Sequence, residues 1–392
     1  MLEARAQRAI AVGSLFPQKQ TANGAFTHTQ VSNNLANVPP HRFYDDWATG
    51  LNASWEIDFW GRIRRTVEST EDVVESSADD YGNVMVTLIG DVSAAYVSYR
   101  TFEQQLVYAR KNVEVERGLL KIAKQRYEGK LTNELPVVQA ASLLGQLEAA
   151  IPALEIGMRQ ANNQLSILLG LPPAELAPRL GEAPIPASPP EVVVGIPADL
   201  IRRRPDVRSA ERLVAAQNAQ IGVAEADWYP AFFINGSLGY EAKDLANLFT
   251  SKSFTGQVGP AFQWNILNYG RILNNVRFQD FKTQELVALC QQKVLSAAGE
   301  VENGIIAYLN TQREVASLRG SVRDAGRALD FAIKNFKDGR IEFTPVFVAE
   351  QFLAQQENLL AQAEGEVDQG LIAAYRAPGG YTDNLYDNYI SI

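Results

Sequence analysis

Two hydrophobic periods alternate along this chain. Phe254, Gly256, Val258, Pro260, Phe262 and Trp264, apolar or small, alternate with Thr255, Gln257, Gly259, Ala261, Gln263 and Asn265. Trp47 to Asp58 repeats the pattern, with Trp47, Leu51, Ala53, Trp55 and Ile57 on one face, and Phe232, Ile234, Leu238 and Tyr240 begin a third run. A fourth, around Thr21 to Val31, alternates poorly and is placed by analogy with the third. Period two with one apolar face predicts strands of a sheet that is wet on one side only.

The other period is helical and long. Proline is absent from His41 to Leu135 and from Ala261 to Thr344. Met85, Leu88, Val92, Ala95, Tyr99, Phe102, Leu106, Ala109, Val113, Glu116, Leu120, Ala123 and Tyr127 step by three and four without a slip, and only Glu116 is polar. A second series runs from Val294 through Val301, Tyr308, Val315, Val322 and Leu329 to Phe336 in the same register. Such a series predicts a coiled-coil seam. A helix from near Arg62 to near Tyr127 would be about 100 Å long. Each long helix ends at a short hinge, Tyr127 to Pro136 or Phe336 to Pro345, where glycine closes one helix and proline opens the next. Return helices near Pro136 to Gly170 and Pro345 to Tyr375 then pack back antiparallel.

The two series belong to one repeat. Trp55, Ile57, Gly61, Arg62 and Ile63 recur as Trp264, Ile266, Gly270, Arg271 and Ile272, at an offset of 209. The same offset pairs Tyr99 with Tyr308, Leu120 with Leu329 and Pro136-Val137 with Pro345-Val346. A gapless match of this length marks a tandem duplication. The expected organisation is a first repeat at 1–170 (strands about 20–60, long helices about 61–170) and a proline-rich linker at 171–197. A second repeat follows at 198–376 (helix about 198–228, strands about 231–266, long helices about 269–376), then a tail at 377–392.

Composition removes several classes of function. The formal charge of −9 and sequence pI near 5.0 argue against a nucleic-acid partner. Arg202-Arg203-Arg204, followed by Pro205, is expected at a helix start rather than at a phosphate site. Cys290, the one cysteine, is expected as a lone buried thiol, and His28 and His41 are the only histidines. No catalytic, metal or cofactor constellation is visible, so the chain is not expected to be an enzyme. Acidic pairs such as Asp79-Asp80 and Glu71-Asp72 are expected on solvated helix faces. No run approaches the roughly 18 apolar residues of a membrane-spanning helix, and the start lacks the apolar stretch of a secretion signal. All five tryptophans, Trp47, Trp55, Trp60, Trp228 and Trp264, lie in or beside the strands. They are expected to form the aromatic girdle of a membrane barrel. A membrane sheet has to close on itself. Four strands cannot close, eight nearly fill their own interior, and twelve leave a channel. A conduit therefore demands at least a trimer, expected as a homotrimer: a β-barrel in membrane lipid, four strands per chain, continued by a second tube of helices.

The residues also carry a resemblance. Leu200-Ile-Arg-Arg-Arg-Pro-Asp-Val-Arg-Ser-Ala-Glu-Arg-Leu213, followed by Ile221-Gly-Val-Ala-Glu-Ala-Asp227 and Tyr229-Pro230, resembles the signature of TolC-type outer-membrane efflux proteins. Trp55-Glu-Ile-Asp-Phe-Trp-Gly-Arg62, the hinge phrase Arg126-Tyr-Glu-Gly with Glu134-Leu-Pro-Val-Val-Gln-Ala140, and Ala377-Pro-Gly-Gly-Tyr381 resemble the NodT-type lipoprotein branch serving RND multidrug pumps. The resemblance implies a trimer with a twelve-stranded barrel in outer-membrane lipid and a twelve-helix periplasmic tunnel. It implies docking on a periplasmic adaptor (membrane fusion) protein and an inner-membrane pump, and passive exit of drugs or other small molecules. The hinge tips would form the closed end and the docking surface: Tyr127, Gly129, Leu131, Glu134, Leu135 and Pro136 in the first copy, and Phe336, Gly339, Ile341, Glu342, Phe343, Pro345 and Val346 in the second.

Two departures from that pattern carry expectations of their own. Family members begin with a signal peptide and a lipidated cysteine. Here Glu3 to Pro17 align with Ala216 to Pro230, so a natural N-terminus is expected to be missing. Family tips usually place Asp where this chain has Pro136 and Pro345, and often a further Asp at Val348. The mouth is therefore expected to close by apolar contact, through Leu135, Ile341, Phe343 and Val346, the alternative being that Glu134 or Glu342 takes over an acidic ring. The rival readings are an exit duct for type I protein secretion and, from another class, a non-conducting structural coiled-coil protein.

Overall fold

Four strands form one antiparallel sheet in a computed structural model that describes residues 1–34, 36, 39–188 and 201–376. They are β1 (Lys19–Gln30), β2 (Phe43–Ile57), β3 (Ala231–Ala242) and β4 (Phe254–Gln263), in the order β1-β2-β3-β4. Each repeat copy contributes a hairpin, and β2 joins β3 across the copies, with Trp55 opposite Ile234 and Leu51 opposite Leu238. The poorly alternating first strand is present in full register, Ala22 opposite Leu51 and Phe26 opposite Trp47.

The helices are α1 (Leu2–Gly13), α2 (Arg62–Glu128), α3 (Leu135–Leu168), α4 (Ala177–Leu180), α5 (Pro205–Ala226), α6 (Arg271–Lys337) and α7 (Thr344–Arg376). α2 and α6 each have 67 residues, as the two series predict. Parts of the expected linker and the Ala377–Tyr381 phrase lie outside the described residues.

The chain divides into two units, residues 1–81 with 206–293, and residues 82–205 with 294–392. In the first, the sheet is accompanied by α1, α5 and the opening turns of α2 and α6. Asp79 is buried there and ion-paired to Arg208 at 3.2 Å, beside a Ser76–Ser209 hydrogen bond of 3.0 Å. The expectation of a solvated face thus fails at Asp79, because α5 covers that side of α2. Burial still pushes the Asp79 carboxyl up, against the pull of Arg208. Asp72 is half-buried, 3.6 Å from Arg212. Cys290 is half-buried rather than buried, and desolvation raises its thiol. Arg204 stands just before α5, as expected of a helix start, and binds Glu300 at 2.9 Å.

In the second unit the seam residues fill three buried clusters. Tyr99 packs with Ala95, Ala161, Leu165 and Leu176. Tyr308 packs with Val315, Leu360, Ala363 and Val367. Leu119, Ala140, Ala325, Leu329, Phe336, Phe343, Val346 and Leu353 make the third. One expectation is corrected: α3 is long and apolar enough, by length and composition, to cross a membrane. Its apolar side chains are spread round the helix with few charges between them, so no uninterrupted apolar run betrays it. Val138, Ile156 and Ile167 are exposed on it.

Candidate functional site

The sheet has one apolar and one polar face, and register sorts them. Leu51, Leu238, Val258 and Phe262 are exposed on the apolar face. On the other, Thr21, Asn52, Ser237 and Gln257 stand in one row across all four strands. Asn52 donates to the Asn23 side chain at 3.1 Å and Ser54 to that of Asn235 at 2.7 Å. On this face Gly50 and Gly239 oppose each other, and a Cβ on Gly50 would come within 2.7 Å of the Leu238 carbonyl oxygen. Backbones that close let the sheet curl toward its polar face.

The tryptophans fall into two groups. Trp47 lies against Phe26, ring centroids 4.5 Å apart. Trp55 is about 26 Å further along β2, and Trp60, Trp228 and Trp264 flank the strand ends there. Trp60 stacks on Tyr229 at 4.4 Å. The Trp55 indole donates to the Leu15 carbonyl at 3.1 Å and the Trp264 indole to the Trp228 carbonyl at 3.0 Å. These are equivalent bonds in the two copies, so the duplication is preserved down to a single hydrogen bond.

The hinge residues of both copies cap their helices. In the second hinge Gly339 takes the left-handed conformation (φ 73°) and Arg340 N–H returns to the Asn335 carbonyl. In the first, the left-handed residue is Lys130 (φ 56°), one place after Gly129, and Leu131 N–H returns to the Arg126 carbonyl. The expected glycine stop holds in one copy and is displaced by a residue in the other. A side chain in that conformation costs about 1 kcal/mol. Lys130→Gly is therefore expected to raise stability by about that amount in denaturant unfolding, and Gly339→Ala to lower it.

Phe336, Phe343 and Val346 are buried within the chain, Phe336 edge-on to Phe343 at 5.4 Å. Pro136 is buried, Ile341 is half-buried, and Tyr127, Gly129, Leu131, Glu134, Leu135, Gly339, Glu342 and Pro345 are exposed. Phe343 and Val346, expected at a mouth closed by apolar contact, are thus turned inward by the packing of α7 on α2 and α6. Of that set only Leu135 is exposed. One residue of the hinge phrase has a role that the sequence does not assign. Arg126 donates to the Phe336 carbonyl and lies 4.9 Å over its ring, so α2 closes the end of α6. Its signal was a break in the repeat, since the equivalent position is Asn335.

The outer membrane efflux protein family matches this chain over residues 2–171 and 196–380. Nodulation protein T of Rhizobium leguminosarum bv. trifolii is 29% identical, over 93% of this chain and 77% of that protein. The pyoverdine export outer membrane protein OpmQ of Pseudomonas putida is 27% identical, over 96% and 81%. Among solved structures, the outer-membrane channel OprN superposes with a TM-score of 0.91 at 29% identity, covering 97% of this chain and 85% of its own. Matched in both its halves and folded like an outer-membrane channel, this chain belongs to the outer membrane efflux protein family and is an outer-membrane efflux channel.

Proposed function

We propose that this channel works as a homotrimer, the passive exit duct of a tripartite system handling drugs or other small molecules, with a periplasmic adaptor and an RND-type inner-membrane pump as partners. The sheet carries the reading: one face is apolar and exposed, the other is polar, and β1 and β4 leave their outer edges unpaired among the described residues. In lipid those edges have to meet. Pairing β4 of one chain with β1 of the next gives twelve strands around the Asn, Ser, Thr and Gln rows, with Leu51, Leu238 and Val258 toward lipid. The two tryptophan groups then lie at the two interfaces, a spacing close to the roughly 25 Å apolar band of outer-membrane barrels. The exposed apolar side chains of α3 are covered by the neighbouring protomer.

At the tips, Tyr127, Leu131, Leu135 and Val348 form the surface offered to the adaptor and to the closing mouth. With Pro136 and Pro345 in place of carboxylates, that mouth holds no acidic ring at those positions. The mass of the purified protein in detergent, with single-channel recording, tests the assembly. Three chains per particle and a conducting pore weakly blocked by multivalent cations are expected, with stronger block after Pro345→Asp. A stable conducting monomer would refute the trimer.

A further inference from the structure

Glu116 interrupts the apolar series of α2, and α7 brings a second carboxyl group against it. Glu116 is 0% and Glu350 1% exposed, and the two side chains lie within hydrogen-bonding reach of each other. All four of their oxygens are buried and meet no donor from any other residue. Two carboxylates offer acceptors only, so as a pair of anions they would have neither a donor nor a cation between them. A proton on one of them supplies the missing donor.

The charges of the surrounding elements are engaged elsewhere or exposed to solvent. On α2, Arg117 is directed to Glu114 and Glu148, and Lys111 with Asn112 is held by Glu357 of α7. Glu148 of α3, Arg327 and Asp330 of α6 and Lys121 of α2 are exposed. From α6 and α3 the nearby wall is apolar, Ala325 and Leu329 with Ala140, in the cluster that holds the flanking Leu119, Val346 and Leu353. The repeat supplies an internal comparison. Glu116 corresponds to Ala325, and Glu350 to Ala141. Neither equivalent is a carboxylate, so the carboxyl pair occurs in one copy only.

We propose that Glu116 and Glu350 share protons across the α2–α7 seam and form a pH switch: the protonated pair holds the first turns of α7 on α2, and ionisation drives them apart. The inference concerns packing within one protomer and goes beyond the duct reading. Burial, and then the facing Glu350, push the Glu116 carboxyl up to about 10. Burial pushes Glu350 up as well. The native chain therefore keeps protons that an unfolded chain releases near an ordinary value of about 4.3. Its stability is full below that value and falls as pH rises toward about 10.

Hydrogen exchange of peptides from 108–122 and 344–358, corrected for the intrinsic pH dependence, tests the switch in the full-length protein. Protection is expected to fall about tenfold for each pH unit per proton lost, and to stay level in the Glu116→Gln/Glu350→Gln double variant. Equal pH dependence in the two proteins overturns the proposal. Infrared spectroscopy serves if the double variant fails to fold. The native protein at neutral pH should show the C=O band of a protonated, desolvated carboxyl, altered by Glu116→Gln or by Glu350→Gln. No such band, or one that neither substitution moves, overturns it equally.

Discussion

Arg100→Met is expected to destabilise the helical unit by about 3–5 kcal/mol and to expose residues 171–188 to protease. The Arg100 side chain is 0% exposed, yet all its bonds are made inside the protein. It donates to Glu103 at 2.6 Å, to the Gly181 carbonyl at 2.8 Å, to the Leu180 carbonyl at 2.9 Å and to the Tyr96 hydroxyl at 3.1 Å. It also lies over the Tyr96 and Tyr99 rings, 5.1 and 5.6 Å from their centroids. Leu180 and Gly181 end the short helix α4, whose orphan carbonyls favour a cation. Methionine keeps much of the volume but leaves two carbonyls and a carboxylate without their donor. Lysine keeps the charge, but a single ammonium cannot serve both carbonyls and Glu103 at once, so an intermediate loss is expected. Denaturant unfolding and limited trypsin digestion measure both effects. Unchanged stability with an unchanged cleavage pattern would show that the linker is held by its leucines alone.

What the sequence made legible follows from how far each signal reaches along the chain. Strands β2, β3 and β4 announce themselves because most positions of one face, taken at every second residue, are apolar or small. β1 has Lys19, Gln20 and Thr21 in a row, and only its pairing with β2 sorts them into faces. The long helices were visible in their seam, which needs nothing beyond i+3 and i+4 spacing. Asp79 was misplaced because what covers it, Arg208 and Ser209 of α5, is distant in sequence and leaves no local trace. Glu116 stood out as the one polar member of its series, but Glu350 belongs to the other copy, and no periodicity links the two. The hinge in the first copy shows how fine such limits are. Both hinges align through Pro136 and Pro345, yet Gly129 sits one position before the left-handed turn that Lys130 occupies. At the tip, side-chain orientation decided the rest: Phe343 and Leu135 are equally apolar in sequence, and helix packing buries one and exposes the other.

Tyr308→Asp is expected to cost about 4–5 kcal/mol, among the largest effects of any single substitution in this protein. Tyr308 is 1% exposed and anchors the cluster with Val315, Leu360 and Val367. Around it α6 and α7 touch backbone to backbone. A Cβ on Gly370 would lie 3.0 Å from the Tyr308 amide nitrogen, and one on Gly304 would lie 2.9 Å from that of Ala374. A carboxylate at this buried position would be cut off from bulk water. Aspartate would have to stay protonated, at a cost, or force the helices apart and lose the packing of the whole cluster. Gly304→Leu separates these contributions, since it adds no charge and acts only through the backbone approach. Overpacking at such a site costs about 3 kcal/mol. Tyr99, the equivalent of Tyr308 in the first copy, is buried against Ala95, Ala161 and Leu165, so Tyr99→Asp is expected to fall close to Tyr308→Asp. Thermal unfolding of the three variants decides the matter. A Tyr308→Asp protein as stable as the native one would mean that α6 and α7 do not meet along this seam. A loss at Tyr308 without one at Gly304 would place the strain in the charge rather than in the close approach of the helices.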